Sequence, residues 1–183
     1  MVTRVGRAEA FGHHGELLQG VFEGPDGRFK RGLISLPCAR LKSKAVFWPS
    51  DKSGVTVTPA VCAKARRAAE MVIAGRPEGE RGGHLKIKSN IPVGRGLGSS
   101  TADVVAAIQA VHDGLQIKSD PHQIMKIAAE AEIACDSTLF HQQAVLFAQR
   151  EGIVIEAFRR PLPALDILSV DVASSLAVDT LAL

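Results

Sequence analysis

From residue 17 onward, apolar and β-branched positions come in short runs separated by turn residues, the pattern of consecutive strands. Residues 17–23 are the first run and lead into Pro25-Asp26-Gly27, where proline presets one dihedral and glycine permits a positive φ. Residues 32–37, 45–48 and 55–58 follow as further strands. Residues 61–74 read as a helix with Arg66, Arg67 and Glu70 on its wet side, and residues 76–83, with Pro77, as a polar loop. Residues 84–89 then alternate polar and apolar, as a half-buried strand does.

Val104, Ile108, Val111 and Leu115 make one apolar stripe and predict a helix over residues 99–114. A second helix starts at Asp120-Pro121, a capping side chain followed by proline at the first helical position. It carries Ile124, Ile127, Ala128, Ala131 and Cys135 on one face. Strand-like stretches at 144–148, 153–158 and 166–172 close the chain. Strands, a helix, a strand, two helices and strands around one core predict an α+β fold.

Composition narrows the classes. With 183 residues, 46% hydrophobic and 22% charged, the chain can bury one core, or one domain plus the start of another. No run approaches the ~20 apolar residues of a membrane helix, and no apolar run follows the N-terminal charges as in a secretory signal. Cys38, Cys62 and Cys135 are far apart and odd in number, unlike a disulfide framework or a zinc site, so a reduced, cytoplasmic protein is expected.

The net charge of +3 and the run Arg28, Lys30, Arg31, Arg40, Lys42 and Lys44 could attract an anion such as a nucleotide. Only 4% of residues are aromatic and none is tyrosine, which argues against a nucleic-acid partner. The bland reading of the run is a solvated strand face. Oligomeric state stays open, a homo-oligomer included.

The chemistry concentrates in residues 92–103, Pro-Val-Gly-Arg-Gly-Leu-Gly-Ser-Ser-Thr-Ala-Asp. Alternating glycines let the backbone approach a ligand closely and point successive N–H groups inward. The helix that begins next adds unsatisfied N–H groups and roughly half a positive charge. Ser99, Ser100 and Thr101 add hydroxyls suited to a phosphate oxygen or Mg²⁺. A P-loop would need a Gly-Lys-Ser/Thr ending, and the dinucleotide fingerprint a different glycine spacing with a later acidic residue. The Gly-x-Ser-x-Gly elbow of a serine nucleophile is missing too. The structural alternative is a flexible connection capped by serine.

Residues 92–102 resemble the second motif of the GHMP kinases, Pro-x-x-x-Gly-Leu-Gly-Ser-Ser-Ala, with Thr101 for the usual alanine. Gly6-Arg7 through Phe11-Gly12-His13-His14 resembles that family's opening motif. Gly15-Glu16-Leu17-Leu18-Gln19-Gly20 and Ser99-Ser100-Thr101-Ala102-Asp103 resemble the L-threonine kinase branch of cobalamin synthesis. So does the stretch from Glu132 through Asp136 to Phe140, one residue longer between Glu and Asp than in that branch.

The resemblance implies a kinase N-terminal domain over residues 1–160, a two-layer α/β sandwich of ribosomal-protein type. It also implies the start of a ferredoxin-like C-terminal domain over 161–183. The family's third glycine-rich motif lies later than residue 183, so a truncated chain with poor turnover is expected.

By the same resemblance, Pro92, Gly94, Arg95, Gly96, Leu97, Gly98, Ser99, Ser100 and Thr101 bind ATP. Ser100 and Glu132 hold Mg²⁺, Asp136 orients or deprotonates the substrate hydroxyl, and Arg7 lies beside the transferring phosphate. Glu16, Gln19 and Asp103 face a small hydroxyl-bearing metabolite, L-threonine or a similar hydroxy amino acid, with homoserine and a sugar left open. Helical spacing of about 100° per residue puts Glu132 beside the core and Glu130 toward water.

Plainer readings stand alongside. Glu132 would be a surface carboxylate, Asp136 a turn former, Asp103 a complement to the helix dipole, Gln19 a strand-face residue and Arg7 a surface arginine. His13, His14 and Glu16 suggest a metal, but no third ligand follows at helical or strand spacing, so that reading is set aside. The rival function is a non-catalytic domain that binds anions or RNA.

Overall fold

The computed structural model describes residues 4–75 and 82–168. Its N-terminal strands are far longer than the short runs predicted. Residues 17–23 are only the distal part of β1, Gly6–Glu23, and the runs at 32–37 and 45–48 lie in one strand, β2, Phe29–Ser50. Pro37 argues against a continuous strand, but the register of β1 against β2 is irregular beside it, between Phe11 and Gly12 and again between His13 and Glu16. A bulged ladder tolerates a residue without an N–H. The connecting turn is the one expected: Gly27 has φ +72° and the Asp26 carboxylate accepts from Lys30 Nζ at 2.9 Å.

β2 organises the sheet. β1 runs antiparallel along one edge. The other edge is shared by β4, Gly82–Ser89, against residues 43–50, and by β5, Val145–Ala148, against Gly32 and Leu33. Outside these lie β3, Gly54–Thr58, parallel to β4, and β6, Ile153–Ala157, antiparallel to β5. A parallel neighbour needs a crossover. Here it is α1, Ala63–Ala74.

Two further helices complete the helical layer, α2, Ser99–Gly114, and α3, Pro121–Glu132. The predicted stripe on α2 understates its burial. Ala102, Val104, Val105, Ala106, Ala107, Ile108, Ala110 and Val111 are all inaccessible, because the helix packs on β1 and β2 and is flanked by α1 and α3. Small alanines let its neighbours approach closely, and a helix apolar on every side belongs at the centre. Phe47, Leu33, Leu85, Phe147, Ile124 and Met125 fill the core around it.

The start of α3 is as predicted, with Asp120 Oδ1 accepting from the His122 N–H at 3.0 Å, a cap worth about 1 kcal/mol. Its end is not. Ile133 takes φ +78°, breaks the helix after Glu132 and puts Cys135 in the loop beyond. Residues 161–168 form no regular element, and the rest of the expected strand at 166–172 and of the second domain lies outside the described residues.

Candidate active site

The alternating glycines take the conformation their spacing suggested, with φ of +74° at Gly94, +66° at Gly96 and +72° at Gly98. α2 begins directly after Gly98, and no side chain caps it. Among the described residues no side chain accepts from the amides of its first turn, unlike the alternative of a serine-capped connection. Strand β1 braces the turn, with the His13 N–H donating to the Leu97 carbonyl at 3.1 Å. A cleft of about 270 Å³ opens over it, lined among others by Gly94, Gly98, Ser100, Glu132 and Asp136.

Glu132, the last residue of α3, turns inward beneath this cleft and is 4% exposed, whereas Glu130 faces solvent. The Ser100 hydroxyl donates to Glu132 Oε1, and Lys64 Nζ lies 3.8 Å from the same oxygen. Among the described residues Glu132 Oε2 is buried with no hydrogen-bond partner. Burial pushes the Glu132 carboxyl up to about 7, against the opposing pull of the Ser100 bond and the Lys64 charge. A buried carboxylate oxygen left open beside a serine hydroxyl is the hard oxygen donor set that suits magnesium.

The loop after α3 is fixed residue by residue. The Cys135 N–H donates to the Gln149 carbonyl at 2.9 Å, and the Asp136 N–H to Thr101 Oγ1 at 3.3 Å. Ser137 and Ser35 exchange backbone-to-hydroxyl bonds at 3.2 and 3.3 Å. Asp136 is thus held at the foot of α2 by Thr101, the residue that departs from the resembled motif. Thr101 therefore turns its hydroxyl toward Asp136 and Glu132.

His13, whose metal-ligand reading the sequence sets aside, is 2% exposed and lies at the centre of the cluster. Its Nε2 is 3.0 Å from Asp136 Oδ2, and its Nδ1 accepts from the Gly15 N–H at 2.9 Å, with Glu16 Oε1 at 3.6 Å. Burial alone would lower the His13 pKa, but the hydrogen bond and charge of Asp136 together with the Glu16 charge raise it. Burial raises that of Glu16, against the charge of His13. No sequence spacing could have shown that Asp136, far along the chain, completes a group with His13 and Glu16. Their ligand atoms lie within 4.8 Å of one another, so a third group does stand beside His13 and Glu16, supplied by the fold and not by spacing along the chain. The carboxylates nevertheless face different ring nitrogens, a bridge through the imidazole and not one shared ligand sphere.

Other expected residues fall differently. Glu16, Gln19, Gly96, Leu97 and Ser99 line the cleft, while Pro92 and Arg95 are exposed and outside its lining. Asp103 is not in the first turn of α2 and turns away toward α1, accepting from Cys62 Sγ at 3.7 Å. Arg7 is separated from the glycine turn by the length of α2, 16 residues, or roughly 24 Å. Its backbone N–H donates to Asp113 Oδ2 at 2.9 Å and its side chain is exposed. The opening motif therefore reaches the cleft through His13 and Glu16, not through Arg7.

Among the described residues, a mixed sheet under three helices, with an open glycine turn feeding the central helix, defines an α+β domain. Residues 62–148 match the family model of the GHMP kinases N terminal domain, and the fold is that of this domain. Over 54 residues the chain is 43% identical to a homoserine kinase of Pyrobaculum aerophilum, covering 30% of this chain and 18% of that protein.

Among solved structures it is similar to homoserine kinase from Cytophaga hutchinsonii, with TM-score 0.57, 18% identity, and 87% of this chain covered against 53% of that one. Mevalonate kinase from methicillin-resistant Staphylococcus aureus gives TM-score 0.54, 22% identity, and coverages of 86% and 56%. The chain thus spans about half the length of these solved relatives. No helix among the described residues is long and apolar enough to cross a membrane.

Proposed function

We propose that this chain supplies the phosphate-binding half of a small-molecule kinase that moves the γ-phosphoryl of ATP to the hydroxyl of a small metabolite. The observation that carries the reading is the Ser100–Glu132 pair, set beside an uncapped helix start, with one carboxylate oxygen left buried and open. Backbone amides from Gly94 to Ser100 receive the triphosphate, and Ser100 and Glu132 would hold magnesium. When bound, magnesium neutralises phosphate charge. Asp136 orients the acceptor hydroxyl, with Glu16 and Gln19 on the acceptor side. Arg7 and Asp103 have no part in this scheme.

The acceptor we favour is a hydroxy amino acid. The Gly15–Gly20 segment and the run 99–103 support L-threonine, and the relative from Pyrobaculum aerophilum supports homoserine. Titration calorimetry with AMP-PNP and magnesium tests the binding half, and turnover against threonine, homoserine and a sugar panel tests the acceptor. No AMP-PNP binding, by this chain or by any longer chain of the same reading frame, overturns the proposal.

A further inference from the structure

Among the described residues, His13 is a buried titratable group at the edge of the cleft that the scheme above leaves without a task, and its surroundings are unusually determinate. The Gly15 N–H donates into Nδ1, so Nδ1 carries a lone pair and the proton sits on Nε2. That proton points at Asp136 Oδ2, 3.0 Å away. The arrangement is built by a bulge: the β1 register shifts between His13 and Glu16, and Gly15 takes φ +114° there. An even ladder would not turn the Gly15 amide back onto the ring two residues before it.

The ring also rests on the glycine turn. A Cβ at Gly98 would lie 2.5 Å from His13 Cδ2, 2.8 Å from its Nε2 and 3.2 Å from Asp136 Oδ2. His13 therefore touches both the residue that opens α2 and the carboxylate beyond α3. The charged groups facing it are Glu16, from its own strand, and Asp136, from the loop after α3. The turn faces it with the backbone of Leu97 and Gly98.

We propose that His13 is the positioning residue of the phosphoryl transfer, holding Asp136 Oδ2 through Nε2–H so that the other carboxylate oxygen addresses the acceptor hydroxyl. This rests on the kinase reading above. In the step it serves, the acceptor O–H bond breaks as the oxygen bonds to the γ-phosphorus. The proton passes to the free oxygen of Asp136, and the bond from the γ-phosphorus to its bridging oxygen breaks, its electron pair leaving on the nucleoside diphosphate. His13 keeps its Nε2 proton throughout. Its part is to fix which Asp136 oxygen is free by donating to the other, a task the exposed Arg7 is too distant to perform.

Two measurements decide the matter. Long-range ¹H–¹⁵N spectra of the uniformly labelled chain, with His13 assigned through His13→Gln, report the tautomer and the protonation midpoint directly. The expected result is the Nε2–H form at pH 8. In Asp136→Asn, proton affinity should drop by about tenfold, one pH unit. An Nδ1–H form, or a midpoint indifferent to Asp136→Asn, overturns the proposal whether or not the chain is a kinase.

In turnover assays, His13→Ala should lower kcat about tenfold or more while leaving the nucleotide KM within about twofold. His13→Gln, which keeps a donor near the same place, should recover most of that loss. An unchanged kcat in His13→Ala also overturns it. Failure of the wild type to bind AMP-PNP removes the kinase reading, whereas the tautomer and midpoint of His13 are read from the spectra in either case.

Discussion

Ser100 donates its hydroxyl hydrogen bond to Glu132, so the first turn of α2 is joined to the final residue of α3. The join places a serine and a buried carboxylate under the amides that precede them, and one consequence is a pH dependence with a definite sign. The folded Glu132 carboxyl titrates at about 7, above its ordinary 4.5. The folded state therefore binds the proton more tightly, and this group's contribution to stability falls as pH rises from about 4.5 to above 7. Metal binding needs the ionised form and strengthens over the upper part of that range. Glu132→Gln should raise the Tm of the unliganded chain at pH 8 by about 2–4 °C or more and leave it unchanged at pH 4. It should also abolish the rise in magnesium-dependent AMP-PNP affinity between pH 6 and 8. Scanning calorimetry and titration calorimetry read the two effects.

Gly98→Ala should fail at the same place for a steric reason. Its Cβ would meet His13 and Asp136 in a backbone with φ +72°, so a loss of about 1–3 kcal/mol is expected. AMP-PNP binding should disappear even at temperatures where circular dichroism shows the variant folded.

Arg7→Ala, in contrast, should leave AMP-PNP affinity within about twofold, since among the described residues Arg7 is held through its backbone N–H, at the far end of α2, with its side chain exposed. A tenfold loss in calorimetry would show that the opening motif acts through this side chain after all.

Cys62 should behave as an inert thiol. Burial, reinforced by the Asp103 carboxylate that accepts its S–H, lifts it to about 11. Iodoacetamide labelling at pH 8, followed by mass spectrometry, should run at least tenfold slower at Cys62 than in the unfolded chain, because only the thiolate reacts.

Ile133→Gly should stabilise the chain although it deletes a large apolar side chain. Ile133 is 57% exposed and holds φ +78°, a conformation that costs a β-branched residue on the order of 1–3 kcal/mol and glycine little. An increase in urea midpoint is the expected outcome.

What the sequence disclosed followed the range of its interactions. The α2 and α3 helices, the Asp120-Pro121 start, the hairpin turn and the glycine conformations are all set by neighbours a few residues away, and all were legible. So was the inward face of Glu132, because helical phase carries it. The full extent of β1 was not, since the alternation of Arg7-Ala8-Glu9-Ala10 is lost in the Gly and His residues from 12 to 15, which become strand only through the β2 ladder. The partnership of His13 with Asp136 joins the first strand to the loop after the last helix and leaves no trace in spacing. Asp103 and Arg7 misled in the same way: proximity along the chain to the glycine turn, or to the opening motif, says nothing about which way α2 and β1 turn them.

The irregular stretch of β1 carries a further implication for how this protein can vary. Three breaks in register between Phe11 and Leu18 set how far along β2 each later residue lies. A single inserted or deleted residue there would send every subsequent side chain to the opposite face of the sheet. At the break between Phe11 and Gly12, which precedes His13, it would withdraw the imidazole from Gly98 while leaving the composition of the strand almost untouched. The cleft is therefore addressed by counting as much as by chemistry.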